Sequence, residues 1–360
     1  MKILHIEAGR FLYGGAQQVA WLTDGLAKRG VQNVLVCPED GEIQKAVAAG
    51  TVIHAIRMRG DLDVGLIFRL TAIIRAESPD IVHIHSRRGA DIFGGIAARL
   101  TGVPCVLSRR VDNLETSWLV PLKYRLYQRV VVISDAIGRV LVQCGVDPRG
   151  ITAVRSAVDA RSYDLPAENR WFQQEFCLPQ DEVTLGVVAQ LIPRKGHRYL
   201  LQVLPELLVK FPNLHVLIFG QGPLQAELES EVMRPEYDGR VQMAGFREDL
   251  RRVMPNLHAV IHPAEKEGLG VALLQASACG VPVIAANAGG IPEIVIHGEN
   301  GLTFDVGDVD TLSEHINALL SDSVLRETLG ARGRELANSL FSVDAMVEGN
   351  LQVYQSLLTS

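Results

Sequence analysis

The chain has 360 residues, 48% apolar and 21% charged, with a formal net charge of −6. That length suits two domains of roughly 150–180 residues with full cores, and the mild acidity argues against a nucleic-acid partner, which needs a basic excess. Five scattered cysteines without metal-ligand spacing read as small buried residues in a reducing compartment.

The opening MKILHIEAGR is too short in its apolar part for a secretory leader. No apolar run reaches the ~18 residues of a membrane span. The expected location is therefore cytoplasmic, or peripheral on the inner membrane face. A strand at Lys2–Ile6 leads into GRFLYGGAQQVAWLTDGLAKRG, a glycine turn before the amphipathic segment Gln17–Arg29. Two glycines ahead of a helix let backbone come close to a ligand, which makes Gly15 a candidate. The Gly-X-Gly-X-X-Gly fingerprint is absent, which argues against a nicotinamide cofactor.

Strands follow at Asn33–Cys37, Ile81–His85, Cys105–Ser108, Val130–Ile133 and Thr152–Val154, with a helical segment at Ala90–Leu100. Two strand ends carry His85-Ser86-Arg87-Arg88 and Ser108-Arg109-Arg110. Ligands gather beyond such ends in parallel sheets. Arg87, Arg88, Arg109 and Arg110 are read as contacts to an anionic acceptor, a phosphorylated sugar, acidic sugar or lipid phosphate. Salt bridges to Asp91 and Asp112 are the alternative. Residues 114–130 mix Trp118, Leu119, Leu122 and Tyr124 with Lys123, Arg125 and Arg129. They read either as a peripheral membrane contact or as an ordinary half-buried helix.

Asp159–Gln180 lacks a strand pattern and reads as a connection with one short helix. A second series of strands then runs Leu185–Ala189, His215–Phe219, Val241–Met243, Ala259–Ile261, Pro282–Ala285 and Gly301–Phe304. Helical segments at His197–Lys210 and Val309–Leu320 lie among them, and a last helix spans roughly Val343 to Leu358. Alternating strand and helix implies parallel sheets.

The second half carries the sharper chemistry. In AQLIPRKGHRYLL, Lys195 precedes Gly196 at a helix start, and with Arg194 it suits a diphosphate. IFGQGPLQAELES places a glycine turn at Gly222. VQMAGFREDL offers the backbone of Phe246 and Arg247 to the edge of a base. In EKEGLGVALLQASACGVPVIAANAGGIPE, Gly268 and Gly270 expose N–H groups where a helix begins, a ready phosphate site. Glu267 beside them would repel phosphate, so it suits hydroxyl groups. Phosphate plus hydroxyls points to a nucleotide sugar. The Asp308/Asp310 pair sits just before a helix, where capping explains it.

These motifs, from GGAQQVAWLTDGLAKRG through AQLIPRKG and EGLGVALLQASACGVPVIA to GGIPEIVIHGENGLTFDVGD, together resemble the family-four retaining glycosyltransferases (glycosyl transferases group 1) of the GT-B superfamily. The resemblance covers nearly the whole chain. It implies an α/β GT-B fold: two Rossmann-like domains whose parallel sheets face a central cleft. Residues 1–165 would bind acceptor, 166–340 the nucleotide sugar, and 341–360 would form a helix crossing back to the first domain. The implied reaction moves a sugar from a nucleoside-diphosphate sugar to a glycan or glycolipid, as in polysaccharide or lipopolysaccharide synthesis. Retention by internal return, without cofactor or metal, goes with it.

In the resemblance Lys195 and the N–H groups of Leu269, Gly270 and Val271 contact the donor diphosphate, and Glu267 holds the sugar. Three positions depart from the family pattern. Gln275 stands for a second glutamate and offers the ribose one carbonyl acceptor. Gln190 stands for an arginine, leaving Arg194 to supply the charge. Arg110 stands for a histidine, with His85 as a substitute; the alternative for His85 is a structural hydrogen bond. Two other readings remain: a sugar-nucleotide epimerase, and a non-catalytic subunit that binds nucleotide sugar or glycan.

Overall fold

The computed structural model describes residues 1–12, 14–86, 89–115 and 118–359. The chain packs as two units. One is Met1–Ala157 with the terminal helix, and the other is Val158–Ser342.

The first unit is built on β1 (Lys2–Ile6), β2 (Gln32–Pro38), β3 (Val52–Ile56), β4 (Ile81–Ile84), β5 (Cys105–Arg109), β6 (Arg129–Val132) and β7 (Ile151–Ala153). All pair in parallel in the order β3-β2-β1-β4-β5-β6-β7. Helices α1 (Gly14–Ala27), α2 (Leu66–Glu77), α3 (Ala90–Thr101), α4 (Val120–Tyr124) and α5 (Asp135–Gln143) fill the connections. The central strands are short and almost wholly buried, as a sheet covered on both faces requires. The strand order reverses between β1 and β4, which opens a crevice at their carboxyl ends. The sequence pattern missed β3. It is a half-exposed edge whose apolar run is broken by His54, and His54 Nε2 lies 2.8 Å from Glu77 Oε1.

The second unit repeats the plan with β8 (Val183–Val188), β9 (Leu214–Phe219), β10 (Val241–Gly245), β11 (Ala259–His262), β12 (Val283–Ala286) and β13 (Gly301–Phe304). Their order is β10-β9-β8-β11-β12-β13, so the reversal falls between β8 and β11. Its helices are α6 (Asn169–Glu175), α7 (His197–Lys210), α8 (Gln225–Val232), α9 (Leu250–Val253), α10 (Val271–Ala278), α11 (Val309–Ser321) and α12 (Ser323–Asn338). Leu200, Leu204 and Leu207 of α7 pack with Leu312 and Ile316 of α11 over Val187, Ile218 and Ile284. Asp308 does cap α11, accepting from Thr311 N–H at 3.0 Å. The stretch read as a connection belongs to this unit. Its α6 buries Phe172, and Phe176 meets Phe219 edge to face at 5.7 Å. The short helix expected there is present, but polar composition concealed its buried face.

The last helix, α13 (Val343–Leu358), completes the first unit. Met346, Val347, Val353 and Tyr354 join Leu22 and Leu26 of α1 in one apolar cluster. Tyr354 Oη lies 2.6 Å from His83 Nδ1. Among the described residues no helix is long and apolar enough to cross a membrane.

Candidate active site

In the second unit, the loops after β8 and β11 flank the reversal in strand order, the place where open parallel sheets hold ligands. The structure ties these loops together. Glu265 N–H donates to the Arg194 carbonyl at 2.8 Å. Gly196 has φ +69°, and a Cβ there would stand 1.9 Å from the Pro263 carbonyl oxygen. Only glycine allows that approach. The result sets Lys195 Nζ 2.5 Å from Glu267 Oε2, both side chains largely buried. His262 Nε2 lies 2.9 Å from the same oxygen, and Gly268 N–H donates to Oε1 at 3.1 Å. Behind the loop, Gly290 N–H donates to the Glu267 carbonyl at 3.0 Å. Leu269 is buried, and α10 starts just beyond Gly270, at Val271.

Burial alone would raise the Glu267 pKa. The hydrogen bond and charge of His262, with the charge of Lys195, override it and hold the carboxyl at about 2. A depressed carboxylate contributes stability above its unfolded value near 4.5, and that contribution is lost as pH falls through the folded value. Wild type is therefore expected to lose on the order of 3 kcal/mol between about pH 4.5 and 2 through this group. Glu267→Gln should lack that component, so the gap between their urea-unfolding free energies should close toward pH 2. A gap independent of pH would contradict the assignment.

The other donor candidates also follow the carboxyl ends of this sheet. Gln190 is exposed just past β8. Gly222 lies in the loop after β9, which is knitted to the β8 loop through Leu191 N–H to Gln221 O and Leu224 N–H to Leu191 O, each 3.0 Å. Phe246 is half exposed after β10. The Arg247 guanidinium is committed to Asp249 at 2.7 Å and Glu175 at 2.6 Å, which leaves a ligand role to its backbone. The Gln275 side chain lies near the Tyr163 hydroxyl, whose pKa burial pushes up to about 12.

In the first unit the β1–β4 crevice gathers a second polar cluster. Arg110 Nη2 lies 3.5 Å from His85 Nδ1, and its Cδ sits 3.8 Å from where a Gly15 Cβ would be. Glu7, one residue past β1, is buried beside them. Burial pushes its pKa up, against a bond from Gly9 N–H and the Arg110 charge. Sequence reading passed over Glu7, because an acid after a strand shows no mark of the switch point until the sheet order is known. His85 Nε2 meets His5 Nδ1 at 3.0 Å, and His5 Nε2 meets Asn33 Oδ1 at 3.1 Å. Asn33 Nδ2 donates to the Thr23 and Val31 carbonyls, so its oxygen accepts from His5. Burial lowers His5 to about 4, so it is neutral near pH 7. His5 Nδ1 then accepts, His85 Nε2 donates, and His85 Nδ1 turns a lone pair toward Arg110.

His5, His83 and His85 place ring nitrogens within 4.8 Å of one another. Every one of those nitrogens has a hydrogen-bond partner, His83 through Tyr354 and Ser108. With the Arg110 guanidinium alongside, this set does not fit a metal cation.

One expectation needs correction. Arg109 does not face outward: its buried guanidinium is held by Glu115 and the Asn113 carbonyl, each at 2.6 Å. Among the described residues of the 114–130 segment only Val120–Tyr124 is helical, and Lys123 there pairs with Asp91 at 2.7 Å and Glu115 at 3.1 Å. Arg87 and Arg88 lie outside the described residues.

Comparison with known proteins agrees with this architecture. The glycosyltransferase family 4 model matches residues 13–162, and the glycosyl transferases group 1 model matches residues 169–336. The chain is 25% identical to the lipopolysaccharide core biosynthesis glycosyltransferase LpsE of Rhizobium meliloti, over 99% of both chains. It is 24% identical to the UDP-Gal:alpha-D-GlcNAc-diphosphoundecaprenol alpha-1,3-galactosyltransferase of Escherichia coli, over 90% of this chain and 89% of that one. Among solved structures, Anabaena HepE in complex with UDP and glucose superposes with a TM-score of 0.83 at 21% identity, over the whole of both chains. With its two parallel-sheet units and both family models in sequence order, the chain belongs to glycosyltransferase family 4, the group 1 glycosyl transferases of the GT-B fold.

Proposed function

We propose that this protein transfers a sugar, with retention of anomeric configuration and without a metal, from a nucleoside-diphosphate sugar to an anionic glycan or glycolipid. The observation that carries the reading is the Lys195–Glu267 pair at the β8–β11 switch point, 2.5 Å apart and beside the start of α10. As the donor bond breaks, charge grows on the diphosphate. Lys195, Arg194 and the N–H groups from Leu269 to Val271 stabilise it, which is why no metal is called for. Glu267 accepts from the sugar hydroxyls. The Phe246–Arg247 backbone faces the base, Gln275 takes the ribose, and Gln190 and Gly222 border the same pocket. Relatives named for lipopolysaccharide core and for diphosphoundecaprenol acceptors support the acceptor class, and HepE bound to UDP and glucose supports the donor class. Arg110 and His85 serve the acceptor side in this reading, and Gly15 the donor.

Peripheral membrane contact is part of the proposal. Leu114, Trp118 and Leu122 are 74%, 76% and 66% exposed beside a groove of about 880 Å³ floored by Ile92, Ile96 and Leu126. Apolar side chains displayed together suit a lipid interface.

One assay tests the whole. The purified chain is given a panel of UDP- and GDP-sugars with lipid-linked acceptors in anionic or neutral vesicles, with and without EDTA. Expected are donor-dependent transfer unaffected by EDTA, faster on anionic vesicles, and an axial-to-axial anomeric outcome by NMR coupling for an α-linked donor. Inverted product, or abolition by EDTA restored by metal, would overturn those parts. No transfer from any donor would overturn the function.

A further inference from the structure

The site pairs its own charges. Glu267 Oε2 takes both the Lys195 ammonium at 2.5 Å and His262 Nε2 at 2.9 Å. In the donor reading above, on which this inference rests, Lys195 must turn its charge to the diphosphate. Glu267 then loses its nearest counter-charge just when it has to meet the sugar. An isolated buried carboxylate would swing away or take up a proton.

We infer that His262 is a positioning residue that keeps the Glu267 carboxylate ionised and aimed at the donor sugar after Lys195 has moved to the diphosphate. Three observations carry this. An ionised Glu267 has only acceptors, so His262 Nε2 carries the hydrogen and donates. His262 is the final residue of β11, 2% exposed and paired in register with Ala285, so its ring has no room to follow a moving partner. Its Nδ1 is buried with no hydrogen-bond partner, a cost that a leucine at the same place would avoid. Among the described residues, the one hydrogen bond this ring makes is the one to Glu267. Across from it stands the equally buried His197, first residue of α7, whose ring nitrogens are also unpartnered. His197 is neutral near pH 7, lowered to about 4 by burial and then by the charges of His262 and Lys195, so it adds no rival cation.

The test separates the sugar from the diphosphate. Wild type, His262→Leu and His262→Gln are titrated by calorimetry with UDP and GDP, and with UDP-glucose and GDP-mannose. The pair that wild type binds is then used. Glutamine keeps a donor near the position of Nε2, whereas leucine keeps only bulk. The leucine variant should bind the bare diphosphate within about twofold of wild type, yet bind the sugar conjugate about tenfold more weakly. Glutamine should restore most of that loss. Equal weakening of both ligands, equal loss in both variants, or no loss at all would overturn the role of His262. Wild type binding none of the four would overturn the donor reading and this inference with it. Should the leucine variant not fold, His262→Met takes its place.

Discussion

Lys195→Ala is expected to lower the rate of sugar transfer by about 10²–10³-fold, the range seen when a single preorganised donor to a developing anion is removed. The side chain is anchored at the end of the β8 loop, with Gly196 packed against Pro263 behind it. With its backbone held, the ammonium has only to turn from Glu267 to act on the leaving diphosphate in a buried site. The fold should survive, because Glu267 keeps His262 and the Gly268 N–H as donors. Lys195→Arg should recover little, since a planar guanidinium cannot occupy the slot of a compact ammonium. Initial velocities with the best donor, read beside a thermal melt, decide the matter. A folded alanine variant within about fivefold of wild type would remove Lys195 from the chemistry.

Gly289→Ala should be the most damaging single-methyl change near the site. Its φ is +56°, and a Cβ would stand 1.9 Å from the Glu267 carbonyl oxygen, which also accepts from Gly290 N–H. The new methyl must push the 265–270 loop away or distort the turn after β12. We expect a loss of about 3–5 kcal/mol in stability, together with loss of transfer. Gly298→Ala is the control. Its φ is +76° but nothing lies within 4 Å of the added carbon, so only backbone strain of about 1–2 kcal/mol is expected. Equal unfolding midpoints for the two variants would show that the contact with Glu267 does not matter.

The alternation of short β-branched runs with amphipathic segments made both sheets legible, because buried parallel strands need apolar residues on both faces. The strand β3 escaped because an edge carries no such demand. The loops at 194–196 and 265–270 were legible through glycine, whose placement reports close backbone approach. His262 and Glu7 were not. One is a strand-end residue five positions from its partner, and the other looks like any acid after a strand; only the sheet order shows what they face. Arg109 was misread for the same reason: four arginines at strand ends look alike in sequence, yet Glu115 folds back to bury this one. Polar content likewise hid the buried face of α6.

The hydrogen bond between Tyr354 and His83 has a consequence for biosynthesis. Residues 158–342 are contiguous, so that half can reach its native packing as it leaves the ribosome. The earlier half cannot. Its imidazole at position 83 and the groove beside α1 wait for residues 343–358, translated last of all that they need. The portion made first is thus finished second, and in the interval its unfilled apolar surface is what a nascent-chain chaperone would meet.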